Sequence, residues 1–236
     1  MRTETTKSKK AISSWDLPPD KPDIGTGIYE LTDLKRILGL ETRKIKRWLK
    51  YYWDADFANG HKYSWGEDRT YVNFYSMIEF YVFGVLRDSG VSIRVLRTAH
   101  KTLSERLNTQ YPFASRKLQT DGKRVFVELE KDTLADAEHN IQYVFKEIID
   151  PFCKKLEFDS INGLATSFFP LGSNHKISLR PGVMFGQPTI EGTRIPAETI
   201  YKMYKGEDCN AKRVASLYSI TEKAVNDAVQ FFEAAA

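Results

Sequence analysis

Helical periodicity in the apolar positions begins at Tyr29 and runs through several segments before the Asp121-Gly122 pair interrupts it. Leu34, Ile37 and Leu38 form a short first stripe that Thr32 can cap, and Gly39 supplies a tight turn. Thr42 can cap a second helix reaching about Tyr52, with Ile45, Trp48, Leu49 and Tyr52 on one side at the i, i+3, i+4, i+7 spacing. His61 to Val72 reads as two short strands around a Gly66-Glu67-Asp68 turn. Asn73 then caps a core helix carrying Phe74, Met77, Ile78, Tyr81, Val82, Val85 and Leu86, and Gly90 stops it. Its outer side adds Phe80 and Phe83, more apolar surface than a solvated face tolerates, so a partner subunit or a second layer must cover it.

Ser92 caps the next helix, whose buried stripe is Ile93, Leu96, His100, Leu103 and Leu107, with His100 a packed, hydrogen-bonded core residue. Asp121-Gly122 suits a type I′ turn, and Val125, Val127 and Leu129 alternate behind it, which predicts a hairpin. Residues 134–156 read as a helical connector with Ile141, Val144, Phe145 and Ile148 on one face, broken near Pro151. Short strands are expected at Leu156 to Asp159, Ala165 to Phe169 and Ile177 to Leu179, and three short helices between Pro196 and Phe232. The fold class expected is mainly α with small β elements. Four regions follow: a loose, polar tail at 1–27, a first domain at 28–130, a connector with short strands at 131–176, and a small helical module at 177–236.

At 236 residues and 42% hydrophobic content, the chain is long enough for two compact domains. The net charge of +4 is mild, so a nucleic-acid surface must come from local clustering of Lys and Arg. Cys153 and Cys209 stand far apart with no partner at metal-ligand spacing, which excludes a zinc finger and a disulfide framework and points to a reducing cytoplasm. Lys7, Lys9 and Lys10 precede no apolar run suited to a signal peptide, and no segment approaches about 20 uninterrupted apolar residues, so no membrane contact is expected.

Charge changes the picture most on the second helix. Opposite its apolar stripe lie Arg43, Lys44, Lys46, Arg47 and Lys50, an almost wholly cationic surface. A helix fits the DNA major groove, where Arg bonds guanine bidentately and Lys or Arg meets phosphates with release of counterions. Thr42 and Arg43, at the helix N-terminus, would lie nearest the bases or phosphates. A bare run of lysines usually marks a solvated face. Here the short capped first helix, the one-glycine turn and the strand pair that follows together favour DNA. In the strand pair, Lys62 and Arg69 are the expected phosphate contacts, while Tyr63, Trp65 and Tyr71 pack it against the domain.

Tyr29 to Gly90, with helix-turn-helix, wing and a long helix ending in Arg87-Asp88-Ser89-Gly90-Val91-Ser92, resembles the winged-helix domain of MerR-type regulators. More closely, it is similar to the DNA-binding domain of a group of VapB-type antitoxins, over about residues 29 to 130. The cysteine set of metal-sensing MerR proteins is absent from the sequence, so the resemblance carries no metal sensing.

Residues 181–196, Pro-Gly-Val-Met-Phe-Gly-Gln-Pro-Thr-Ile-Glu-Gly-Thr-Arg-Ile-Pro, form the most distinctive string. Its three glycines allow tight turns and close backbone approach, while Pro188 and Pro196 stiffen the path into a helix. It lacks Gly-Lys-Ser/Thr and the GxGxxG spacing, so a β-turn region is expected and not a phosphate cradle. Arg194 is expected to bond internally to carbonyls or a carboxylate. The string closely resembles the opening motif of the family called domain of unknown function 433, over about Ile177 to Phe232. That resemblance implies a module of antitoxin-like proteins often found beside a PIN-like ribonuclease toxin.

Ala211 to Tyr218, a turn at Ser219-Ile220 and a Thr221-capped helix to Phe232 outline a second helix-turn-helix. Its second helix is expected to bury Val225, Ala228, Val229 and Phe232 and to expose Glu222, Lys223, Asn226, Asp227, Gln230 and Glu233. That net acidic face would be repelled by phosphates, which assigns the module to protein contact, either self-association or toxin binding. The two resemblances imply a dimeric antitoxin that represses its own operon and neutralises a PIN-like ribonuclease toxin, with no cofactor. The alternative is a MerR-like regulator without a toxin. No nucleophile-base pair, metal cluster or carboxylate constellation in the sequence supports an enzyme.

Overall fold

A computed structural model describes residues 25–58, 60–66, 68–131 and 137–234. The expected tail therefore lies, through residue 24, outside the described residues, as does Glu67 of the wing turn. The architecture is mainly helical with small sheets.

Strand β1, Tyr29–Glu30, leads directly into α1, Leu31–Leu38. The cap of α1 is Glu30 and not Thr32. Glu30 and Asp33 form a reciprocal capping box, so the acidic pair satisfies orphan amides at both positions. Gly39 closes α1 in the left-handed region at φ 70°, a conformation that glycine adopts without steric cost. Helix α2, Thr42–Trp48, follows with Glu41 at its cap position, which makes Thr42 its first helical residue. The helix does not stop at Tyr52 but continues as a π-helical segment, Leu49–Phe57. A four-residue step overshoots an α turn by about 40°. Wider i→i+5 turns keep Leu49, Trp53 and Phe57 on one buried stripe.

Strands β2, Ser64–Trp65, and β3, Tyr71–Val72, form the wing, and β1 adds a third strand in the order β1-β3-β2, all antiparallel. The Asn73 side chain caps α3, Phe74–Asp88, by accepting from the Ser76 amide at 2.8 Å. Phe80 and Phe83 are fully buried within this one chain. Trp53 lies edge-on to both, with ring centroids at 4.7 and 4.9 Å, and Trp48 meets Phe83 at 5.1 Å. The cover left open between a partner subunit and a second layer is thus the π segment, a layer of the same chain.

Helix α4, Ile93–Leu107, is capped by Ser92 and buries Val95, Leu96, Ala99, His100 and Leu103. The expected hairpin at Asp121-Gly122 is instead helix α5, Asp121–Lys131. A strand would place Val125 and Phe126 on opposite faces, whereas both are buried, which a helix permits. Gly122 is buried, and a Cβ there would lie 2.9 Å from Leu118 Cδ1, so it serves close packing and not a turn.

Helix α6, Ala137–Val144, a π turn at Phe145–Ile149 and α7, Asp150–Cys153, run on without a break. Pro151 falls in the first turn of α7, where a missing N–H is tolerated. Strands β4, Leu156–Phe158, and β5, Ala165–Phe168, pair antiparallel. So do β6, Ile177–Ser178, and β7, Thr189–Ile190. Phe168 and Leu179 exchange backbone bonds of 2.9 and 2.8 Å, joining the two hairpins. The chain ends in α8, Ala197–Gly206, α9, Ala211–Tyr218, and α10, Glu222–Glu233. Ser219 makes the α9–α10 turn at φ 53°, and Thr221 caps α10 through the Ala224 amide.

Two expectations on α10 are corrected. Its buried stripe is Ala224, Val225, Ala228 and Phe231, with Val229 and Phe232 only half-buried. Asp227 is buried, because its carboxylate accepts from the Lys176 amide at 2.7 Å and lies 2.8 Å from His175 Nδ1. Arg194 is exposed and makes no hydrogen bond or ion pair among the described residues. Thr193 does the internal bonding, donating to the Ile190 carbonyl and accepting from the Ile195 amide. A single hydrophobic core runs from Tyr29 to Phe231.

Candidate nucleic-acid interface

Burial of Ile45, Trp48 and Leu49, with Trp48 edge-on to Phe83 of α3, fixes the rotation of α2 and turns its basic residues outward. Gly84 of α3 makes this approach close: a Cβ there would meet Trp48 Cη2 at 2.9 Å and Leu40 Cδ2 at 3.3 Å. Arg43, Lys44, Lys46, Arg47 and Lys50 are all exposed, while Thr42 is half-buried. Lys44 is held by the Asp88 carboxylate at 3.1 Å, which partly neutralises it. Lys50 lies over the Tyr51 ring. Arg43, Lys46 and Arg47 hold no ion pair among the described residues, so their charge is uncommitted.

Lys44 and Arg47 also line an open groove of about 630 Å³ with Trp48, Tyr52, Arg87, Asp88 and Ile93. Next to it, sharing Ile93, a second groove is lined by Arg94, Arg97 and Lys101 of α4. Arg97 bonds Asp56 at 2.6 Å, and Arg87 donates to the Val91 carbonyl at 3.2 Å. The cationic surface therefore continues from the α2 face onto α4, an extension that sequence analysis missed. Its signal is the i, i+3, i+7 spacing of Arg94, Arg97 and Lys101.

The wing is anchored by burial. Tyr63 and Trp65 are buried, and the Tyr63 hydroxyl donates to the Gln110 carbonyl at 2.9 Å. Burial, with Glu79, Tyr111 and Asp54 nearby, pushes the Tyr63 phenol up and keeps it neutral. Lys62 and Arg69 are both exposed on the wing. Arg69 reaches the Glu30 carboxylate at 3.5 Å, which ties the wing to the cap of α1. Burial raises the Asp54 carboxyl while Lys62 pulls it down, so Lys62 faces a carboxylate of the π segment.

On α10 the exposed charges are Glu222, Lys223 and Glu233, with Glu233 bound to Lys205 at 2.7 Å. Loss of Asp227 to the interior leaves that face weakly acidic. Among the described residues, no group of three or more His, Cys, Asp or Glu side chains could hold a metal ion. None of the described helices is long and apolar enough to cross a membrane.

The described residues thus set two helices joined at Gly39, the second of them cationic, beside a three-stranded sheet, in a mainly helical fold whose C-terminal part carries the 181–196 string. Residues 177–232 match the model of the family described as "Protein of unknown function (DUF433)". The chain is similar to "Putative antitoxin VapB45" of Mycobacterium tuberculosis, with 26% identity over 168 residues, 66% of this chain and 69% of the relative. Its fold is similar to the crystal structure of Rv2018 from Mycobacterium tuberculosis, with a TM-score of 0.68 at 19% identity, covering 85% of this chain and 96% of that one.

Proposed function

We propose that this protein is a DNA-binding antitoxin of a type II toxin-antitoxin system, a regulator and not an enzyme. It represses its own operon as a homodimer and neutralises a PIN-like ribonuclease toxin in the cytoplasm. The observation that carries the DNA half is the uncommitted cationic face of Arg43, Lys46 and Arg47, presented by a helix whose rotation the core fixes. Thr42, Lys44 and Lys50 complete that surface, and Lys62 and Arg69 act as the wing's phosphate clamp. Similarity to the relative named "Putative antitoxin VapB45" supports the toxin half. Residues 28–130 form the MerR-like winged domain, 131–176 the connector, and 177–236 the protein-contact module, which faces its partner with Glu222 and Glu233. The second reading, a MerR-like regulator without a toxin partner, keeps the same DNA surface and differs only at the C-terminal module.

Two measurements test this. Footprinting on the DNA upstream of the protein's own coding region should show protection, and an unprotected upstream region would refute autorepression. Co-expression with the neighbouring gene product should give a stable complex that charge reversal at Glu222 and Glu233 weakens. Absence of any complex favours the second reading. Deleting residues 177–236 would be a poor test, because the module shares its core with the rest of the chain.

A further inference from the structure

The ring of Tyr29 is fully buried and passes between two glycines, Gly27 and Gly186, both in the left-handed region at φ 76° and 86°. A Cβ on Gly27 would stand 3.0 Å from the ring, and one on Gly186 would collide with the hydroxyl. That hydroxyl donates to the Gly186 carbonyl at 2.7 Å, and the Ile28 amide donates to the Phe185 carbonyl at 2.8 Å. The backbone of Tyr29 meanwhile pairs with Val72 of the wing. One residue thus belongs to the wing sheet through its backbone and to the 181–196 string through its side chain.

The string is held at a conformational cost. Met184 and Phe185 also adopt left-handed φ, 47° and 56°, a region side-chain-bearing residues leave unless surrounding bonds over-determine it. Those bonds are the two from Ile28 and Tyr29 at the start of β1, with Gly186 N to Val183 O at 2.9 Å and Gln187 N to Met184 O at 3.1 Å. Release of β1 would remove two of the four restraints, and release of the loop would remove the outer support of β1. Arg36 of α1, lying over the Phe232 ring of α10 at 5.5 Å, ties the same two parts together a second time.

We infer that Tyr29 is a positioning residue through which the 181–196 loop sets the geometry of the wing, so that the C-terminal module governs how Lys62 and Arg69 are presented. The DNA-binding consequence rests on the proposed role of the wing, whereas the mechanical coupling does not. Reciprocity follows: whatever tightens the loop tightens the wing by the same free energy.

Amide hydrogen exchange on the free, full-length protein tests the coupling. Tyr29→Phe keeps the ring and deletes the hydroxyl. Exchange at residues 29–31 and 71–72 should accelerate by about three- to tenfold, the worth of one hydrogen bond, while the amides of α9 stay unchanged. Unchanged wing exchange, or a uniform acceleration throughout the chain, would overturn the inference. Gly186→Ala should accelerate the same wing amides in the wild-type background and do so less in Tyr29→Phe, where the struck hydroxyl is absent. Strictly additive effects would also count against it. Against upstream DNA, Tyr29→Phe should lower affinity and reduce the salt slope by about one phosphate contact, and an unaltered slope would sever the wing from the loop. Wild-type protein that binds no DNA would instead refute the proposed function and leave the exchange result to decide the coupling.

Discussion

Glu79 and His100 show how one buried pair can organise several elements. Both side chains are sequestered from solvent, and Nε2 lies 2.8 Å from Oε2. The other carboxylate oxygen accepts from the amides of Phe113 and Ala114 at 2.6 and 3.3 Å, so α3, α4 and the Pro112–Ala114 turn meet on one group. Phe57 stacks on the imidazole at 3.9 Å, which brings the π segment to the same point. The sequence marks His100 as a core residue by its place on an apolar stripe. It hides Glu79, because a lone carboxylate among apolar residues has no periodic signature of its partner. His100→Ala leaves that carboxylate oxygen without its hydrogen-bond partner, and an unsatisfied buried group costs about 1 to 3 kcal/mol. Chemical denaturation should register that loss, and a change below about 1 kcal/mol would show that the two amides suffice.

Among the elements, those with strong local chemistry are the ones legible in the sequence. Asn73, Ser92 and Thr221 cap their helices as their side chains dictate, and Ile45, Trp48 and Leu49 bury where their spacing places them, with Tyr52 half-buried. Failures occur where tertiary packing overrides a local signal. Asp121-Gly122 has turn chemistry, yet burying Val125 and Phe126 together requires a helix. Trp53 and Phe57 escape a pattern based on 3.6 residues per turn because wider turns carry them onto the stripe. Asp227 reads as a surface charge on α10 because its partners, Lys176 and His175, are some fifty positions away.

Glycine positions follow the same division and can be tested in pairs. Gly84→Ala gains about 1 kcal/mol of helix propensity but drives a methyl into Trp48, where overpacking costs about 1 to 3 kcal/mol. Net destabilisation is therefore expected. At Gly206 nothing lies within 4 Å of the added Cβ, so the same change should stabilise by up to about 1 kcal/mol. Thermal melts that rank the two variants the other way would contradict the close α2–α3 contact.

For the molecule as a whole, the two helix-turn-helix outlines differ in what surrounds them. The first presents Arg43, Lys46 and Arg47 without local carboxylate partners, beside a cationic surface that continues through Arg94 and Lys101. The second has α10 packed on α8, α9 and β6, with Glu222, Lys223 and Glu233 outward. The cationic face was visible in the sequence from spacing alone. The bonds that join the 181–196 string to Ile28 and Tyr29 were not, since they link residues far apart and both end on backbone carbonyls that carry no sequence signal. The salt dependence of binding to upstream DNA, measured for wild type and for Arg43→Ala with Arg47→Ala, tests the central claim most directly. Lys44 is the weaker choice, being engaged by Asp88. Loss of two phosphate contacts should lower affinity and flatten the log–log salt slope by about two units. Equal affinity and equal slope for the two proteins would contradict the placement of α2 against DNA.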